Sequence, residues 1–320
     1  MSIKDEKGVA LVLVLVVVAL LVSLVVDFTY TMQVDMTLAA NQRDEIKALY
    51  AARSGVELAR LMLQEDDPAY DARDEDWALF DEHPGFIDED DEGRFKGTIE
   101  DEAAKFPINA LIDEKGGIYK ERREQLERLF EVLDLDPELI DPICDWLDID
   151  DTAGPSGAED EYYEGLVPPY PCKNGRLTSL EELLLVKGMT EEIILYGTKE
   201  KKGLIHYLTI YSEPDGKINI NTASAEILQC IPDNIDENLA QAIIDRREKE
   251  PFLLIDSTLE ELIGITLSDD TFGAMSNYCG VASSTFSIRV EGQVRGIKKD
   301  IYTVVKRQGK TVEPIFWRVE

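Results

Sequence analysis

Eighteen consecutive residues without a charge, Val9 to Val26, constrain this chain more than any other feature. As a helix rising 1.5 Å per residue, such a run covers ~27 Å, close to the ~30 Å hydrocarbon core of a bilayer. An ordinary secretory signal has a shorter apolar core followed by a small-residue cleavage site. Here the run continues into DFTYTMQVDMTLAANQRDEIKALYAARSGVELARLMLQ, with no proline before Pro68 and a single glycine, Gly55. Ile46, Leu49, Val56, Leu58, Leu61 and Leu63 recur at three- and four-residue steps, the pattern of an amphipathic helix. The spacing predicts one continuous helix from about Val9 to Leu63, crossing the membrane over 9–28 and packing its second half on a domain outside. Orientation is not set by the flanks, because Asp5 and Glu6 offset Lys4 and Lys7.

Charge then excludes function classes. The chain carries 33 Lys+Arg against 65 Asp+Glu, a formal net charge of −32, opposite to the basic footprint that nucleic acid requires. Such a surface suits an exported protein or hard cations such as calcium, which take carboxylate oxygens. Cys144, Cys172, Cys230 and Cys279 are too few and too far apart for a disulfide framework or a zinc site. Two local bridges, Cys144–Cys172 and Cys230–Cys279, stay open. His83 and His206 lie near no cysteine at ligand spacing and are expected to be surface or core polar residues.

From Gln64 to Glu92 fourteen acids face one basic residue, Arg73, and the stretch reads as a solvated, partly irregular connection. Gly93 to Glu102 alternates as a strand. Residues 103–280 read as mostly helical, with Leu126, Leu129, Phe130 and Leu133 on one face of Glu121–Leu135. Pro137 opens a second helix through Ile140, Ile143 and Trp146, and Ser179 and Thr190 cap two more, to Val186 and Tyr196. Ile218 to Ile265 resembles a helix-hairpin-helix unit of the kind found in DNA receptors of competence systems. Its hairpin, Ile231 to Asp236, has no glycine and two carboxylates, and the unit holds ten acids against three basic residues. Phosphate would be repelled, so the expectation is the fold without nucleic acid. The tail from Thr285 to Glu320 alternates at strand length and is locally basic, eight against four. These pieces give an α+β chain. The long transmembrane helix packs on a small antiparallel sheet formed by a discontinuous domain, 64–102 and 281–320. A large, mostly helical domain, 103–280, is inserted between two strands and contains the helix-hairpin-helix-like unit, 218–265.

The stretch Asp145 to Tyr170, DWLDIDDTAGPSGAEDEYYEGLVPPY, is the most specific in the chain. Between Leu129 and Cys172 there are thirteen acids and no Lys or Arg. Like charges so close repel, and Asp148, Asp150 and Asp151 follow a helix end, where the dipole disfavours anions. A divalent cation relieves both, and oxygen-only ligands on a Gly/Pro loop favour calcium. Asp148, Asp150, Thr152 and Glu159 match the first, third, fifth and twelfth positions of an EF-hand loop, but its sixth-position glycine is Ala153. A plain solvated acidic loop is the alternative. No nucleophile elbow or phosphate loop accompanies the carboxylates, so no enzyme is expected; an anchored calcium-dependent hydrolase would need a concave pocket beside the acidic loop.

A short charged leader, Gly8 and an uninterrupted apolar helix resemble the type III signal of pilins and pseudopilins, which a prepilin peptidase cuts after the glycine. That resemblance implies a leader of residues 1–8, cleavage between Gly8 and Val9, methylation of the new amine on Val9 and retention of the helix. Main filament subunits of the family carry a glutamate at the fifth mature position, where this chain has Leu13. Absence of that carboxylate, together with the DW-x-D-x-D, GAED-x-YY and L-x-PPY run, is similar to the protein K family, the minor pseudopilins of type II secretion. What this similarity implies is a single-pass protein of the bacterial inner membrane with its C-terminal domain in the periplasm. It would sit at the tip of the pseudopilus, helping to initiate assembly and export of folded proteins. Expected partners are the minor pseudopilins I and J, the main pseudopilin, the prepilin peptidase and the inner-membrane secretion platform, and no nucleic acid. Calcium is the implied cofactor, with Asp148, Asp150, Asp151, Glu159, Asp160 and Glu164 as candidate ligands. A membrane-anchored DNA-uptake protein is the other reading, and a plain signal anchor the simpler one for the N-terminal segment. Gly8→Val is expected to block processing, because a branched side chain obstructs close approach to the backbone. Intact mass of the membrane form checks this, and a mass lowered by the leader in that variant refutes pilin-type processing.

Overall fold

The computed structural model describes residues 3–320 except 83–84, 87–92, 200, 212, 214, 232–234 and 257–258. His83 and the hairpin residues Pro232 to Asn234 therefore lie outside the described residues. Helix α1 spans Ile3–Glu65, 63 residues, longer than expected by a few residues at each end. It is about 94 Å long at 1.5 Å per residue. Every side chain from Val9 to Val26 is exposed, and the helix is long and apolar enough to cross a membrane.

The packing half of α1 is built differently from the expected leucine face. Ile46 and Leu61 are 56% and 53% exposed, whereas Ala48, Ala51, Ala52, Val56, Ala59 and Leu63 are fully buried. The reason is close approach of two backbones. A Cβ on Gly292 would collide with the Ala48 carbonyl oxygen and the Ala52 amide, and one on Gly55 with Phe95 and Val290. Only small residues fit between helix and sheet at that distance, so alanine displaces leucine along the contact.

Among the described residues nine strands follow in chain order: β1 (Gly85–Phe86), β2 (Gly93–Asp101), β3 (Phe106–Pro107), β4 (Leu208–Thr209), β5 (Ile218–Asn219), β6 (Cys279–Gly280), β7 (Thr285–Val294), β8 (Ile297–Gln308) and β9 (Thr311–Val319). Five form one antiparallel sheet in the order β1-β2-β7-β8-β9. Strand β2 pairs with β7 from Gly93↔Val294 to Asp101↔Phe286, so everything between Asp101 and Thr285 is an excursion from two adjacent strands. Alternation along β2 puts Phe95 and Ile99 on the α1 side, where they meet Val56, Phe286, Ile288, Val290 and Val305.

The acidic connection after α1 is more than a solvated loop. Trp77 and Phe80 are buried in this same core, and Trp77 meets the Phe286 ring edge-on at 5.1 Å. Asp71 is fully buried against Arg307. Two aromatic anchors and one buried ion pair outweigh the surrounding charge, of which Asp67, Asp74, Asp76 and Asp81 are exposed.

The excursion has a hydrophobic core of its own. Helix α2 (Lys120–Val132) buries Leu126, Leu129 and Phe130; a 3-10 turn at Pro137–Leu139 leads into α3 (Ile140–Leu147). The short α4 (Asp160–Tyr163) follows, then α5 (Ala225–Gln229), α6 (Glu237–Arg247), α7 (Leu259–Ile263) and α8 (Asp269–Tyr278). The segments expected as α-helices at 179–186 and 190–196 are a 3-10 helix, Leu180–Leu185, and a π-helical turn, Glu192–Tyr196. Both are too short to hold regular α geometry against the packing of Leu183 and Ile194 into the core. The four cysteines are free thiols, all buried. Replacing Gly292 by alanine is expected to push α1 off the sheet and cost about 1–3 kcal/mol. Urea unfolding of the full chain in detergent measures it, and an unchanged midpoint would refute the close approach.

Candidate functional site

The acidic loop is folded by its own carboxylates. Asp141 and Asp145 lie on α3, one turn apart, and both turn toward backbone N–H groups of the loop that follows. Asp141 accepts from Ser156 N at 3.0 Å and from Arg123 Nη2 at 2.6 Å. Asp145 accepts from Gly154 N at 3.1 Å and from Ala158 N at 2.7 Å. These bonds curl residues 150–159 back over the helix. Lys187, from beyond the 3-10 helix, grips the Ser156 and Gly157 carbonyls at 3.0 and 2.9 Å instead of pairing with a carboxylate. Beneath the loop, Trp146 meets Tyr163 edge-on at 5.0 Å, an apolar floor that excludes water from one side.

The result is three converging carboxylates, of which Asp150 accepts from Thr152 N at 2.8 Å through its Oδ1. Asp148, Asp150 and Glu159 each offer an oxygen, all within 4.8 Å of one another. Asp148 is 8% and Glu159 6% exposed. Asp148 Oδ1 and both Glu159 oxygens are buried with no hydrogen-bond partner. Burial, then repulsion from Asp150 and Asp145, pushes the Asp148 carboxyl up to about 6. Burial, then Asp145 and Asp148, pushes Glu159 up to about 7. Buried polar atoms are normally satisfied, so orphaned carboxylate oxygens that converge are the chemistry of a hard-cation site.

The other expected ligands are engaged elsewhere. Asp151 Oδ1 accepts from Asn174 Nδ2 at 3.1 Å, and Asp160 Oδ1 accepts from Cys172 N at 2.7 Å, tying the end of the loop. Glu164 is exposed at the C-terminal cap of α4. Asn174 is a residue that the sequence reading missed. Its Oδ1 is buried and unpartnered, its backbone is left-handed at φ 45°, and it stands beside Asp151. Nothing in the Lys173-Asn174-Gly175 stretch distinguishes it from a surface turn.

A second carboxylate group, Asp66, Asp71 and Glu75, is held differently. Arg307 reaches Asp66 at 2.8 Å and Asp71 at 2.6 Å, and Glu75 accepts from Ala72 N and Trp77 Nε1. An internal guanidinium already does what a cation would do there. In the helix-hairpin-helix-like unit, Arg246 pairs with Glu250 and Arg247 is buried on the Ile220 carbonyl. Neither is free to receive phosphate.

Comparison with known proteins agrees with this architecture. Two family models described as type II secretion system protein K match residues 104–196 and 218–277, and a PilX N-terminal model matches 7–57. A type II secretion system protein K from Pseudomonas aeruginosa is 27% identical over 326 residues, covering 93% of each chain. The protein of that name from Aeromonas hydrophila is 29% identical over 241 residues, 70% of each chain. A chain in the crystal structure of the GspK-GspI-GspJ complex from the type 2 secretion system of enterotoxigenic Escherichia coli superposes with a TM-score of 0.68 at 19% identity. That superposition covers 88% of this chain and 99% of the other.

Proposed function

The chain belongs to the protein K family of the type II secretion system and is a minor pseudopilin; from that premise we propose that it caps the pseudopilus. One observation carries the cap position. Residues 102–284, more than half the chain, leave the sheet between β2 and β7 and fold around a separate core. A lobe of that length has a radius of gyration of ~16 Å. Packed helices of a shaft sit only about 8–10 Å apart. A lobe this wide is accommodated at an end, where nothing packs above it. Leu13 fits the same place, since a terminal subunit has no neighbour above whose amine needs a carboxylate.

In this reading the prepilin peptidase cuts between Gly8 and Val9 and methylates Val9, and α1 stays in the inner membrane before extraction into the filament. The sheet and the helical lobe stand in the periplasm. Minor pseudopilins resembling the I and J components of the related complex, the main pseudopilin and the inner-membrane platform are the partners. Gold labelling of filaments checks the position: label is expected at one end, with secretion near normal in Leu13→Glu. Label along the shaft would overturn the cap.

We further propose that Asp148, Asp150 and Glu159 hold one calcium ion, with the Asn174 carbonyl oxygen as a fourth donor. The ion supplies the positive charge that three converging carboxylates lack. Asp141 and Asp145 position the ligands by fixing the loop, and the Trp146–Tyr163 floor keeps water away. Binding to the folded form alone stabilises by RT ln(1 + [L]/Kd), ~2.7 kcal/mol at a hundredfold excess over Kd. Melting the full chain in calcium and in EDTA is expected to separate the midpoints, and Glu159→Gln to abolish the separation. Equal midpoints in wild type would make the loop a solvated one.

A further inference from the structure

Both crossings between the sheet and the helical lobe meet at one buried polar cluster. Asp101 ends β2, where the chain leaves the sheet, and is 4% exposed. Its Oδ2 accepts from Asn219 Nδ2 at 3.0 Å, Thr222 Oγ1 at 2.6 Å and Ser283 Oγ at 2.7 Å. Its Oδ1 accepts from Ala103 N at 2.8 Å. Asn219 and Thr222 belong to the lobe, and Ser283 precedes β7, where the chain returns. One side chain therefore ties exit, lobe and return together.

The same cluster reaches the end of α1. Ser283 N donates to Asp71 at 2.6 Å, and Asn219 Nδ2 also donates to the Asp71 carbonyl at 3.0 Å. Arg307 of β8 bonds both Asp71 oxygens, Asp66 at the α1 terminus and the Ser283 carbonyl. The lobe is thus linked, through hydrogen bonds and the Arg307 ion pairs, to the last turn of α1.

The charges at this joint do not balance. Asp66 and Asp71 take the Arg307 guanidinium, Glu75 stands within 4.8 Å of both, and Asp101 has no part of that charge. The other charged groups nearby point elsewhere. Arg73 donates to the Thr222 carbonyl and Arg247 to the Ile220 carbonyl. Glu213 accepts from Ser284 N and Oγ, and Glu102 from Thr209 and Lys105. All four donors to Asp101 are neutral, and no cation bonds it among the described residues. An ionised carboxylate in that setting is costly, whereas a protonated one is not. The Thr222 and Ser283 hydroxyls turn from donor to acceptor by rotation, so either receives a carboxylic proton.

We propose that this cluster is a proton-dependent latch, which fixes the helical lobe on the sheet and closes with one proton held on Asp101. Burial pushes the Asp101 carboxyl above its ordinary range, against the four hydrogen bonds that favour the anion. Because the closed-state value lies above that of the open chain, closure binds a proton. The stabilising contribution is fully present below the open-chain value and is lost as pH rises through the closed-state one. Asp71 is also pushed up by burial, to about 7, but its charge is paired with Arg307.

Hydrogen exchange of the full chain in detergent, corrected for intrinsic rates, reads the latch at both crossings, residues 101–106 and 279–285. Wild type is expected to lose protection at both crossings as the pH is raised, about tenfold for each unit by which the closed-state value exceeds that of the open chain. Asp101→Asn is expected to lower protection by a constant factor and flatten the pH dependence, because an amide carries no titrating proton. Asp71→Asn should keep the Asp101 pH dependence while weakening the Arg307 side. Ser283→Ala, which leaves the carboxylate in place, keeps the measurement readable if more drastic changes unfold the chain, and should loosen both crossings together. An unaltered pH ratio in Asp101→Asn overturns the proton. Two crossings that respond independently to Ser283→Ala overturn the latch.

Discussion

One helix has to satisfy two solvents, and most of the architecture follows from how it does so. Lipid demands an apolar surface all round, which Val9 to Val26 provides with every side chain outward. The sheet demands the opposite, a narrow contact along one face. The chain meets that demand by thinning the helix, with Ala48, Ala51 and Ala52 set against Gly292, Ala59 also buried, and the Gly55 backbone set against Phe95. Dispersion per contact is small, but close backbone approach multiplies contacts, and Val56 and Leu63 each contribute about 1.5–3 kcal/mol of burial. The cost is intolerance: no side chain can be added at that seam. It also leaves only one face and the edges of the sheet for anything else.

What attaches there is joined by polar chemistry. The two apolar clusters, one under α1 and one within the lobe, are separate. Between them stand Asp71, Asp101, Asn219, Ser283 and Arg307, a network in which these groups find partners in one arrangement. An apolar joint would have been adaptable; a satisfied buried polar joint specifies a single orientation, because any slip orphans several groups at once. The acid-rich composition has a related structural use. Asp141, Asp145 and Asp160 are consumed as acceptors for backbone N–H groups, so many carboxylates are part of the fold and not surplus charge. Once those are subtracted, Asp148 and Glu159 remain with buried oxygens unpartnered, and Asp150 converges on them.

That subtraction explains what was legible beforehand. The apolar run, the continuous helix, the alternating strands and the lobe between them were readable because each leaves a periodic mark. The alanine face of α1 was not, since alanine carries little hydrophobic signal and leucine positions at similar spacing drew attention instead. The acidic connection looked solvated because fourteen acids conceal Trp77 and Phe80, whose burial depends on a sheet assembled some two hundred residues later. Among six candidate ligands, local sequence cannot tell which carboxylates face a common point and which face an amide. Only the fold of the loop decides that, and the same holds for Asn174.

The lobe and the N-terminus bear on the cap position from opposite ends of the molecule. Leu13 concerns which neighbour the helix can receive, while the width of the lobe concerns what can stand above it. Neither would matter if the lobe swung freely, since a mobile lobe could be displaced sideways and a further subunit admitted. A rigid cap therefore needs the lobe held in register with α1, and one direct route for that register runs through the short connection from Glu65 to Asp71 and the Arg307 pairings. Asp66 and Asp71 occupy the same guanidinium that faces the return strand. The end of α1 and the base of the lobe are thus tied by one side chain of β8, so in the proposed cap the joint matters as much as the bulk above it.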